Sequence, residues 1–565
     1  MHDKATRTPN KPSHHYTTVT GHRSFRNPWP SASPPSVSEL LFGGSWFGWP
    51  KLHLHKHKFA RELKVLKPDW GDKRVAELER READDRKRAG GDNGRKRSKY
   101  IRGTWLGHAA AFVEIPLEAQ QDKADVTASK VGSEVESDPD SQPSRERTIK
   151  LLFDPIFSER AGPTSYTGPG RIRPAPCQAE DLPGVDAILI SHNHYDHLDV
   201  ATVQSVLKKW PKVKFFVPLE NKEWVKSLGV DESQIHEMDW WDDIQLSPRD
   251  FEFQSPEGTT LAKIEDEAAE SQDNGFDRER IRFTCVPAQH NSGRSPADQG
   301  STLWCGWVVE HLIYSGPPDI KVSPVSSPPT AASPSPADGS DPNAGRSLDS
   351  TPSSKRHTPG GQDEISPVAS PYTSNLAAGG GVSEAAEALG NSTSTQTKTL
   401  EGTRAGEFRR RTIRKGAVYH GGDTGYRPHR KSDETCPAFR EIGRKYGPFD
   451  LSFIPIWRGG SLGFVSAVGL RLHHENIASA LHGSPTDGVD IHLDVKSHNS
   501  IGIHFGTFIG AESESLEAII ELQQAVEDAG VKTLDDPNED EKGRMGVVDL
   551  GETYCVPVED LVIVS

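Results

Sequence analysis

The chain has 565 residues, a formal net charge of −15 and a hydrophobic fraction of 34%. Because this apolar fraction is low for a globular protein, part of the chain is expected to be unfolded, while the remainder is long enough for a large core. No apolar run approaches the roughly 20 residues that span a bilayer, and the polar N-terminus excludes a secretory signal peptide. Any membrane contact is therefore expected to be peripheral.

The five cysteines are dispersed and form no CxxC pair. An odd, dispersed set is typical of a reducing compartment rather than a disulfide framework, so we expect an intracellular protein. The first 38 residues contain one acidic residue against five Lys or Arg, which mildly resembles a transit peptide. A mitochondrial location is the resulting alternative.

Residues 1–97 are rich in Pro, Ser, Arg, Lys and His, and are predicted to form a mostly disordered N-terminal arm. Its aromatic islands at 25–30 and 45–50 are expected to pack on the folded domain or to enter a lipid interface. The alternating His53, His55 and His57 have no neighbouring carboxylate, so a solvated basic segment is favoured over a metal site. The basic run 95–99 could attract anionic lipid or nucleic acid, but no RNA-binding signature accompanies it.

The folded domain is predicted to start near residue 98, with strands at 100–106 and 109–115 on either side of Gly107-His108. His108 could line a site or cap a turn, and the turn is favoured. A third strand at 149–153 ends in Asp154. The charged, Ser-rich residues at about 120–147 between the strands are predicted to be an expanded loop.

The densest group of ligand-type side chains is Ser191-His192-Asn193-His194-Tyr195-Asp196-His197, directly after the apolar run 187–190. The run predicts a buried strand, and a turn leaving its end can gather all four ligand side chains, which neither a helix nor a strand can do. Imidazole and carboxylate at this density favour zinc or another first-row metal. His192 and His194 can share one ion while Asp196 and His197 face a second. A polar turn that contains histidines by chance is the weaker alternative.

Later apolar runs predict a helix at 200–210, a strand at 214–219, a helix at 222–228, strands at 281–287, 303–313, 416–420 and 449–455, and a helix at 516–529. Residues 315–411 consist of Pro, Ser, Gly and Thr without periodicity and cannot bury enough apolar surface to offset their ordering entropy, so they are predicted to be a disordered insertion. His473-His474-Glu475 lacks the HExxH spacing and is left without a role.

The motif at 191–197 resembles the signature of the metallo-β-lactamase superfamily. The resemblance implies an α/β fold, an αβ/βα four-layer sandwich with its ligands on loops at one edge of two facing sheets. It further implies His290 as the third histidine, Asp423 as the bridging ligand and His504 as the last ligand, each after a strand. Asp154 would lie behind the metal histidines and orient one imidazole. A structural histidine at 290 and an ordinary turn aspartate at 423 are the alternatives.

With this ligand set, one ion would be held by His192, His194 and His290, and the other by Asp196, His197 and His504. Asp423 would lie between them. Two zinc ions about 3.5–4 Å apart can clamp both oxygens of an in-line displacement and lower the pKa of bound water towards about 7. A bridging hydroxide would then be the nucleophile, with Asp196 and Asp423 as the catalytic carboxylates. The chain is therefore expected to be a zinc-dependent hydrolase.

Further stretches together resemble the N-acylphosphatidylethanolamine-hydrolysing phospholipase D family. They are Phe25-Arg26-Asn27-Pro28-Trp29, Thr104-Trp105-Leu106-Gly107-His108, Phe153-Asp154-Pro155-Ile156-Phe157-Ser158, Phe216-Val217-Pro218-Leu219, Asp239-Trp240-Trp241 and Ile503-His504-Phe505-Gly506-Thr507-Phe508. The resemblance implies a membrane-associated phosphodiesterase that cleaves N-acylphosphatidylethanolamine to N-acylethanolamine and phosphatidic acid. Arg294 matches a family position near the site and is predicted to contact the substrate phosphate.

The expected organisation is an arm at 1–97, a first domain part at 98–314, the insertion at 315–411 and a second domain part at 412–565. The expected partner is a membrane phospholipid, without nucleic acid, and a homodimer is compatible with the sequence. The basic, aromatic arm is expected to help hold the protein on anionic lipid. Two alternatives remain: a soluble phosphodiesterase or lactonase of the same superfamily, and a non-enzymatic scaffold.

Overall fold

Two mixed β-sheets face each other in the computed structural model of the chain, and helices cover their outer faces. The structure describes residues 13–33, 47–48, 54–88, 98–118, 147–251, 278–295, 297–315, 411–429, 432–457, 471–472, 480–508, 512–537 and 540–564. Residues 1–318 and 409–565 belong to one compact unit, whereas residues 319–408 lie outside the described residues.

In chain order the strands are β1 His15–Thr17, β2 Arg23–Phe25, β3 Phe47–Gly48, β4 Tyr100–Gly107, β5 Ala110–Pro116, β6 Thr148–Phe153, β7 Ala187–Leu189, β8 Lys214–Pro218, β9 Ile235–Met238, β10 Asp243–Leu246, β11 Glu279–Val286, β12 Gly306–Ser315, β13 Arg411–His420, β14 Leu451–Pro455, β15 Arg471–Leu472, β16 Asn499–Ile503, β17 Arg544–Gly546, β18 Thr553–Pro557 and β19 Leu561–Val564. The α-helices are α1 Asp72–Arg88, α2 Val200–Lys209, α3 Lys222–Ser227, α4 Ala438–Lys445, α5 Pro485–Val495 and α6 Glu512–Ala529.

The two large sheets share one pattern of strand directions. The first has the order β18-β4-β5-β6-β7-β8-β9, and the second has the order β10-β11-β12-β13-β14-β16-β17, with β19 paired to β13. In each sheet the first three pairings are antiparallel and the last three are parallel. The loops that follow the parallel strands β7 and β16 therefore lie at the carboxyl ends of these strands. Ligand sites of α/β sheets form at the carboxyl ends of parallel strands.

Alternating side chains place the main core between the sheets. In β6, Leu151 and Phe153 belong to the cluster shared by both sheets, whereas Leu152 faces the cluster under α2 and α3. This alternation follows from the two-residue repeat of a strand. On the other outer face, Ile519 and Leu522 of α6 pack on the second sheet. The resulting four layers confirm the predicted αβ/βα sandwich.

The helix after the ligand motif has a defined start. The side chain of Asp199 accepts a hydrogen bond from Thr202 N and so caps α2, and Ser158 Oγ donates to the same carboxylate at 2.7 Å. Capping satisfies one of the free N–H groups of the first turn. Buried Val203 and Val206 then hold the helix on the first sheet. The loop before α2 therefore has a rigid base.

The described N-terminal residues pack on the sandwich. β1 and β2 form an antiparallel hairpin, Phe25 is buried, and Trp29 stacks on Trp240 with ring centroids 5.3 Å apart. In α1, buried Val75 packs against the first sheet. Of the two alternatives for the island at 25–30, packing on the folded domain is the one that these contacts support. Most of the island at 45–50, together with His53, lies outside the described residues.

Several predicted boundaries differ from the structure. The strand predicted at 303–313 begins only at Gly306, because Cys305 N donates to Ser191 O in the ligand loop and Trp304 O accepts from Trp240 Nε1, so neither continues the ladder. The short β17, β18 and β19 and the helix α4 were not predicted. The insertions at about 120–147 and 315–411, apart from their end residues, and residues 473–475 lie outside the described residues. Among the described residues, no helix combines the length and apolar character needed to cross a bilayer.

Candidate metal centre

The loop after β7 brings two of its histidines together with one from the second sheet. Nε2 of His192 lies 2.8 Å from Nδ1 of His194, and Nε2 of His290 lies 3.4 Å from the same Nδ1. Two nitrogens bound to one zinc ion at 2.0–2.1 Å in tetrahedral geometry are roughly 3.3 Å apart. The three imidazoles therefore have the spacing of ligands of a single ion.

A second group forms beside the first. Asp196, His197 and His504 present ligand atoms that lie within 4.8 Å of one another, together with an atom of His108. Nε2 of His197 is 4.0 Å from Oδ2 of Asp196. These residues come from the loop after β7 and the end of β16, so facing sheets are needed to build the group.

The carboxylate of Asp423 lies between the two groups. Its Oδ2 is 3.2 Å from Nε2 of His197 and 3.7 Å from Nε2 of His290, and its Oδ1 is 3.0 Å from Nε2 of His504. The structure thus brings together all seven residues predicted as ligands, namely His192, His194, Asp196, His197, His290, Asp423 and His504.

The ring protons of three histidines face away from the centre. Nδ1 of His197 donates to Asp154 Oδ2 at 2.9 Å, and Nδ1 of His290 and of His504 donate to backbone carbonyls at 2.9 and 3.2 Å. Because a carboxylate or carbonyl can only accept, Nδ1 carries the ring proton of each neutral imidazole, and the lone pair of its Nε2 then faces inward. Nε2 of His197 and of His504 are buried without a hydrogen-bond partner. This donor set fits a divalent metal ion.

Burial and neighbouring charge set the protonation of the ligands. Burial among other histidines holds the pKa of His192 and of His290 well below the usual range, so both stay neutral, as ligation requires. Burial alone would raise the pKa of Asp423, but the adjacent His197 and His504 hold it well below its usual value. Asp423 is therefore a carboxylate at neutral pH.

The backbone is held in unusual conformations to make this geometry. His504 has φ 65° and Asp154 has φ 39°, in the left-handed region that non-glycine residues rarely adopt. Gly422 precedes Asp423 with φ 58°, and a Cβ there would lie 2.6 Å from Cβ of Ser191. Only glycine therefore lets the Asp423 turn approach the loop of 191–197 so closely.

Asp154 lies behind the motif, in the place that the superfamily resemblance implied. Its carboxylate accepts from Ser191 N at 2.7 Å, from Ser191 Oγ at 2.6 Å and from His197 Nδ1, and it is fully buried. These contacts fix the ring of His197 and the start of the ligand loop together. A carboxylate of this kind orients a metal-binding imidazole and raises its basicity.

The preference for His108 as a turn residue is wrong in one respect. The residue does lie in the turn between β4 and β5, but its Nε2 is 2.9 Å from Oδ2 of Asp196. Burial lowers the pKa of His108 to about 4, so the imidazole is neutral and its N–H donates to the carboxylate. Its side chain therefore lines the centre. The sequence around Gly107-His108 shows the turn but contains no signal for a partner in a distant loop.

His482 was missed by the sequence analysis. Its Nε2 lies 3.2 Å from Oδ2 of Asp423, and its side chain is 35% exposed, more than that of the other histidines around Asp423. It precedes α5 and is not part of a strand-then-ligand pattern, so the expected order of ligands did not point to it. Its imidazole is therefore a partly solvent-exposed group beside Asp423.

Arg294 is engaged with the ligand loop. Its Nε donates to Asn193 O at 2.6 Å and its Nη2 to Leu198 O at 2.7 Å, while the guanidinium stacks over Tyr195 at 4.3 Å. Two of its three nitrogens therefore hold backbone carbonyls, one within the motif and one directly after it. A contact with a substrate phosphate stays a prediction, and Nη1 is the nitrogen left to make it.

The chain is similar in sequence to several known proteins. Residues 150–317 match a family model described as a beta-lactamase superfamily domain. N-acyl-phosphatidylethanolamine-hydrolyzing phospholipase D 1 of Caenorhabditis elegans is 25% identical over 457 residues, which cover 80% of this chain and 74% of that protein. The mitochondrial N-acyl-phosphatidylethanolamine-hydrolyzing phospholipase D of Saccharomyces cerevisiae is 29% identical over 163 residues, 29% of this chain and 28% of that protein.

Among solved structures, the metallo hydrolase Igni18 from Ignicoccus hospitalis aligns with 81% of this chain and 98% of its own, at 14% identity and a TM-score of 0.33. The sequence relatives and the matched family model, together with the convergent histidines and aspartates, account for the fold and for the class of chemistry. The chain is a metal-dependent hydrolase whose residues 150–317 match the beta-lactamase superfamily domain, and it is similar to the N-acylphosphatidylethanolamine-hydrolysing phospholipase D proteins.

Proposed function

We propose that the protein is a binuclear zinc phosphodiesterase that hydrolyses N-acylphosphatidylethanolamine to N-acylethanolamine and phosphatidic acid. The observation that carries the proposal is the Asp423 carboxylate, which lies within 4.0 Å of Nε2 atoms from both ligand groups. A single buried carboxylate in this position suits two ions better than one. The substrate assignment is supported by the names and similarity of the two phospholipase D relatives.

Zinc is the favoured metal because the donors are mostly imidazole nitrogens with two carboxylates and no thiolate. His192, His194 and His290 would hold one ion, Asp196, His197 and His504 the other, and Asp423 would bridge them. When bound, the two ions would supply a nucleophile at neutral pH by lowering the pKa of water, and would stabilise the charge of the phosphoryl oxygens.

The residues of the chain have separable roles in this reaction. Asp154 and the backbone carbonyls at Nδ1 of His290 and His504 hold the imidazoles so that their lone pairs face the substrate position. His482, near Asp423 and partly exposed, is placed to exchange a proton with an oxygen of the bound diester or the departing N-acylethanolamine. Transfer of a proton to that oxygen is needed because the alkoxide would otherwise be a poor leaving group.

A cavity of about 570 Å³ lies beside the ligand loop. It is lined by Tyr195, Arg294, the start of α2 and the loop of residues 158–165. This volume lies within the range of small-molecule sites, roughly 300–1,000 Å³. Its described lining contains no predicted metal ligand, so the space that it offers for part of a phospholipid lies beside the ligand loop and not among the ligands.

The loop of residues 158–172 supports peripheral contact with a membrane. Ile172 N donates to Thr507 O at 2.9 Å, so the loop is attached to the segment that follows His504. At the tip of the loop Tyr166 is 89% exposed. The two sides of the loop lie close together, since a Cβ at Gly168 would be only 2.1 Å from Ala161 O. Tyrosine is favoured at membrane–water interfaces. We therefore assign Tyr166 to contact with the lipid surface near the site.

A mitochondrial location is supported by the name of the yeast relative and by the excess of basic residues at the N-terminus. An intracellular, membrane-peripheral protein elsewhere in the cell is the competing assignment. Import of the full chain into isolated mitochondria, scored by protection from added protease, separates the two.

The decisive experiment incubates the purified zinc-loaded protein with phosphatidylcholine vesicles that contain N-acylphosphatidylethanolamine. Mass spectrometry is expected to show N-acylethanolamine and phosphatidic acid in equal amounts, and none with the Asp423→Asn variant. A water-soluble phosphodiester is the second substrate. If its kcat/KM equals or exceeds that for the lipid, the protein is a soluble phosphodiesterase instead.

A further inference from the structure

The N-terminal segment of residues 13–33 runs along the loop that carries the metal ligand His290. Phe25 N and Ser24 Oγ both donate to Gly300 O, at 2.8 and 2.9 Å. Further along, Asn27 Nδ2 donates to the backbone carbonyl of His290 at 2.7 Å. The segment therefore contacts His290 itself, although 263 positions separate the two residues in sequence.

A second contact lies one residue before the ligand. Ser31 Oγ donates to Gln289 Oε1 at 2.6 Å, and Gln289 Nε2 donates to Ala480 O at 2.9 Å. Both side chains are buried. Gln289 N in turn donates to Thr424 Oγ1, next to Asp423. Through Gln289 the segment is connected to the loop that contains Asp423 and to the loop that contains His482.

The start of the segment is held to the domain by a clasp, defined here as His14, His15 and Asp239. Nε2 of His14 is 2.7 Å from Oδ1 of Asp239, and Nε2 of His15 is 2.8 Å from Oδ2. The spacing resembles that of metal ligands, but Arg23 Nη2 lies 3.1 Å from Nδ1 of His15. A guanidinium only donates, so the ring proton of a neutral His15 is on Nε2, the nitrogen near the carboxylate. The clasp is thus a set of polar contacts to one carboxylate.

The amide of Asn27 can have only one orientation. The carbonyl of His290 accepts and never donates, so the nitrogen and not the oxygen of the Asn27 side chain must face it. This hydrogen bond fixes the position of the His290 backbone carbonyl. On the other side of the ring, Nδ1 of His290 donates to Leu481 O. The ligand is consequently held at its backbone by Asn27 and at its ring by the residue before His482.

We propose that Asn27 is a positioning residue of the metal centre, and that residues 13–33 form a strap that orients His290 for ligation. The hydrogen bond from Asn27 determines where the His290 backbone lies, and therefore whether its Nε2 reaches the ion shared with His192 and His194. The residues that support a ligand typically change metal affinity by 10–100-fold when they are altered. The proposal concerns the metal centre and not the substrate, so failure of the lipid assay would leave it standing.

The test compares Asn27→Asp with the wild type and with Asn291→Asp. Aspartate has the same shape as asparagine but no N–H to donate, and it would repel the His290 carbonyl. The control residue Asn291 also follows the strand β11, but its amide donates to Gln299 Oε1 outside the centre. Zinc affinity is measured by competition with a chromophoric chelator, and the cobalt-substituted protein is followed by its visible absorption spectrum.

We expect Asn27→Asp to weaken one of the metal-binding steps at least tenfold and to change the cobalt spectrum, with both unchanged in Asn291→Asp. The melting temperature of the metal-free protein should fall little, because the clasp and the contacts of Phe25 remain. Unchanged zinc affinity in Asn27→Asp would overturn the proposal. A second result would also overturn it. If the clasp variant Asp239→Asn loses as much zinc affinity as Asn27→Asp, and the metal-free melting temperature drops equally in both, the strap has only a structural role.

Discussion

Nε2 of His108 lies 2.9 Å from Oδ2 of Asp196, although 88 positions separate the two residues. The backbone of His108 is held by three further hydrogen bonds: its carbonyl accepts from Trp105 Nε1 and His504 N, and its N–H donates to Thr507 Oγ1. His108 is therefore tied both to the first ligand loop and to the segment that contains His504.

The first prediction follows from this contact. His108→Ala removes the donor to Asp196 and should lower kcat/KM by roughly 10–100-fold, with weaker retention of one metal ion. His108→Gln keeps an N–H donor and should lose less. Steady-state kinetics and metal content of the dialysed proteins test the order. Equal losses in the two variants would show that the imidazole does more than donate this bond.

Asp423→Asn should lose more than a hundredfold in turnover and bind less zinc. The amide carries no negative charge to balance bound metal ions, and it replaces one oxygen ligand atom by an N–H₂ group that cannot bind a cation. Asp85→Asn is the control, because its side chain lies at the surface of α1 and is 76% exposed. Near wild-type turnover of Asp423→Asn would remove this residue from the centre.

Arg294→Lys distinguishes two roles of the guanidinium. If the bonds to Asn193 O and Leu198 O are its main function, lysine cannot make both, and metal retention and kcat should fall together. If Arg294 chiefly contacts the substrate phosphate, KM should rise while metal content is unchanged. Arg444→Lys is the matched control, since its side chain lies on α4 and is 72% exposed. We expect the first pattern.

Tyr166→Ala should weaken sedimentation with phospholipid vesicles and lower turnover of lipid substrate severalfold. Turnover of a water-soluble phosphodiester should not change, because Tyr166 contacts no residue of the metal centre. Val562→Ala, 51% exposed on β19, serves as the control for loss of an exposed apolar group. Wild-type sedimentation of Tyr166→Ala at low and high salt would exclude the loop tip from lipid contact.

Stability should fall as pH rises through the titration of Asp186. Burial raises the pKa of this carboxyl to about 6 in the folded protein, partly offset by the charge of Lys150, whereas the unfolded value is about 3.9. The folded state therefore binds the proton more tightly, and the added stability is present below about pH 4 and lost by about pH 6. The change is roughly 1–3 kcal/mol.

Urea unfolding of the metal-free protein between pH 4 and 7 measures this dependence. Asp186→Asn removes the titrating group and keeps an acceptor for Lys150 N, which donates to Asp186 Oδ2 at 2.7 Å. The difference in unfolding free energy between wild type and variant should therefore change by roughly 1–3 kcal/mol between pH 4 and pH 7. A difference that is constant with pH would contradict the assignment.

Much of the sandwich could be predicted because its signals are local. The apolar runs before His192 and at 149–153 predict buried strands, and the apolar spacing at 200–210 predicts a helix. The edge strands β17, β18 and β19 were not predicted, since each has three to five residues and is defined by its partner. Their own residues carry too little periodicity.

The sequence by itself determined the type of donor atom, the presence of a ligand loop after a strand, and the family resemblance that ordered the remaining ligands. Only the tertiary structure decided that His108 and His482 also face the centre and that Asn27 lies against His290. The physical reason is that those contacts join segments 59 to 263 positions apart, so they depend on how two sheets and an N-terminal segment pack. No local pattern of residues encodes such a distance.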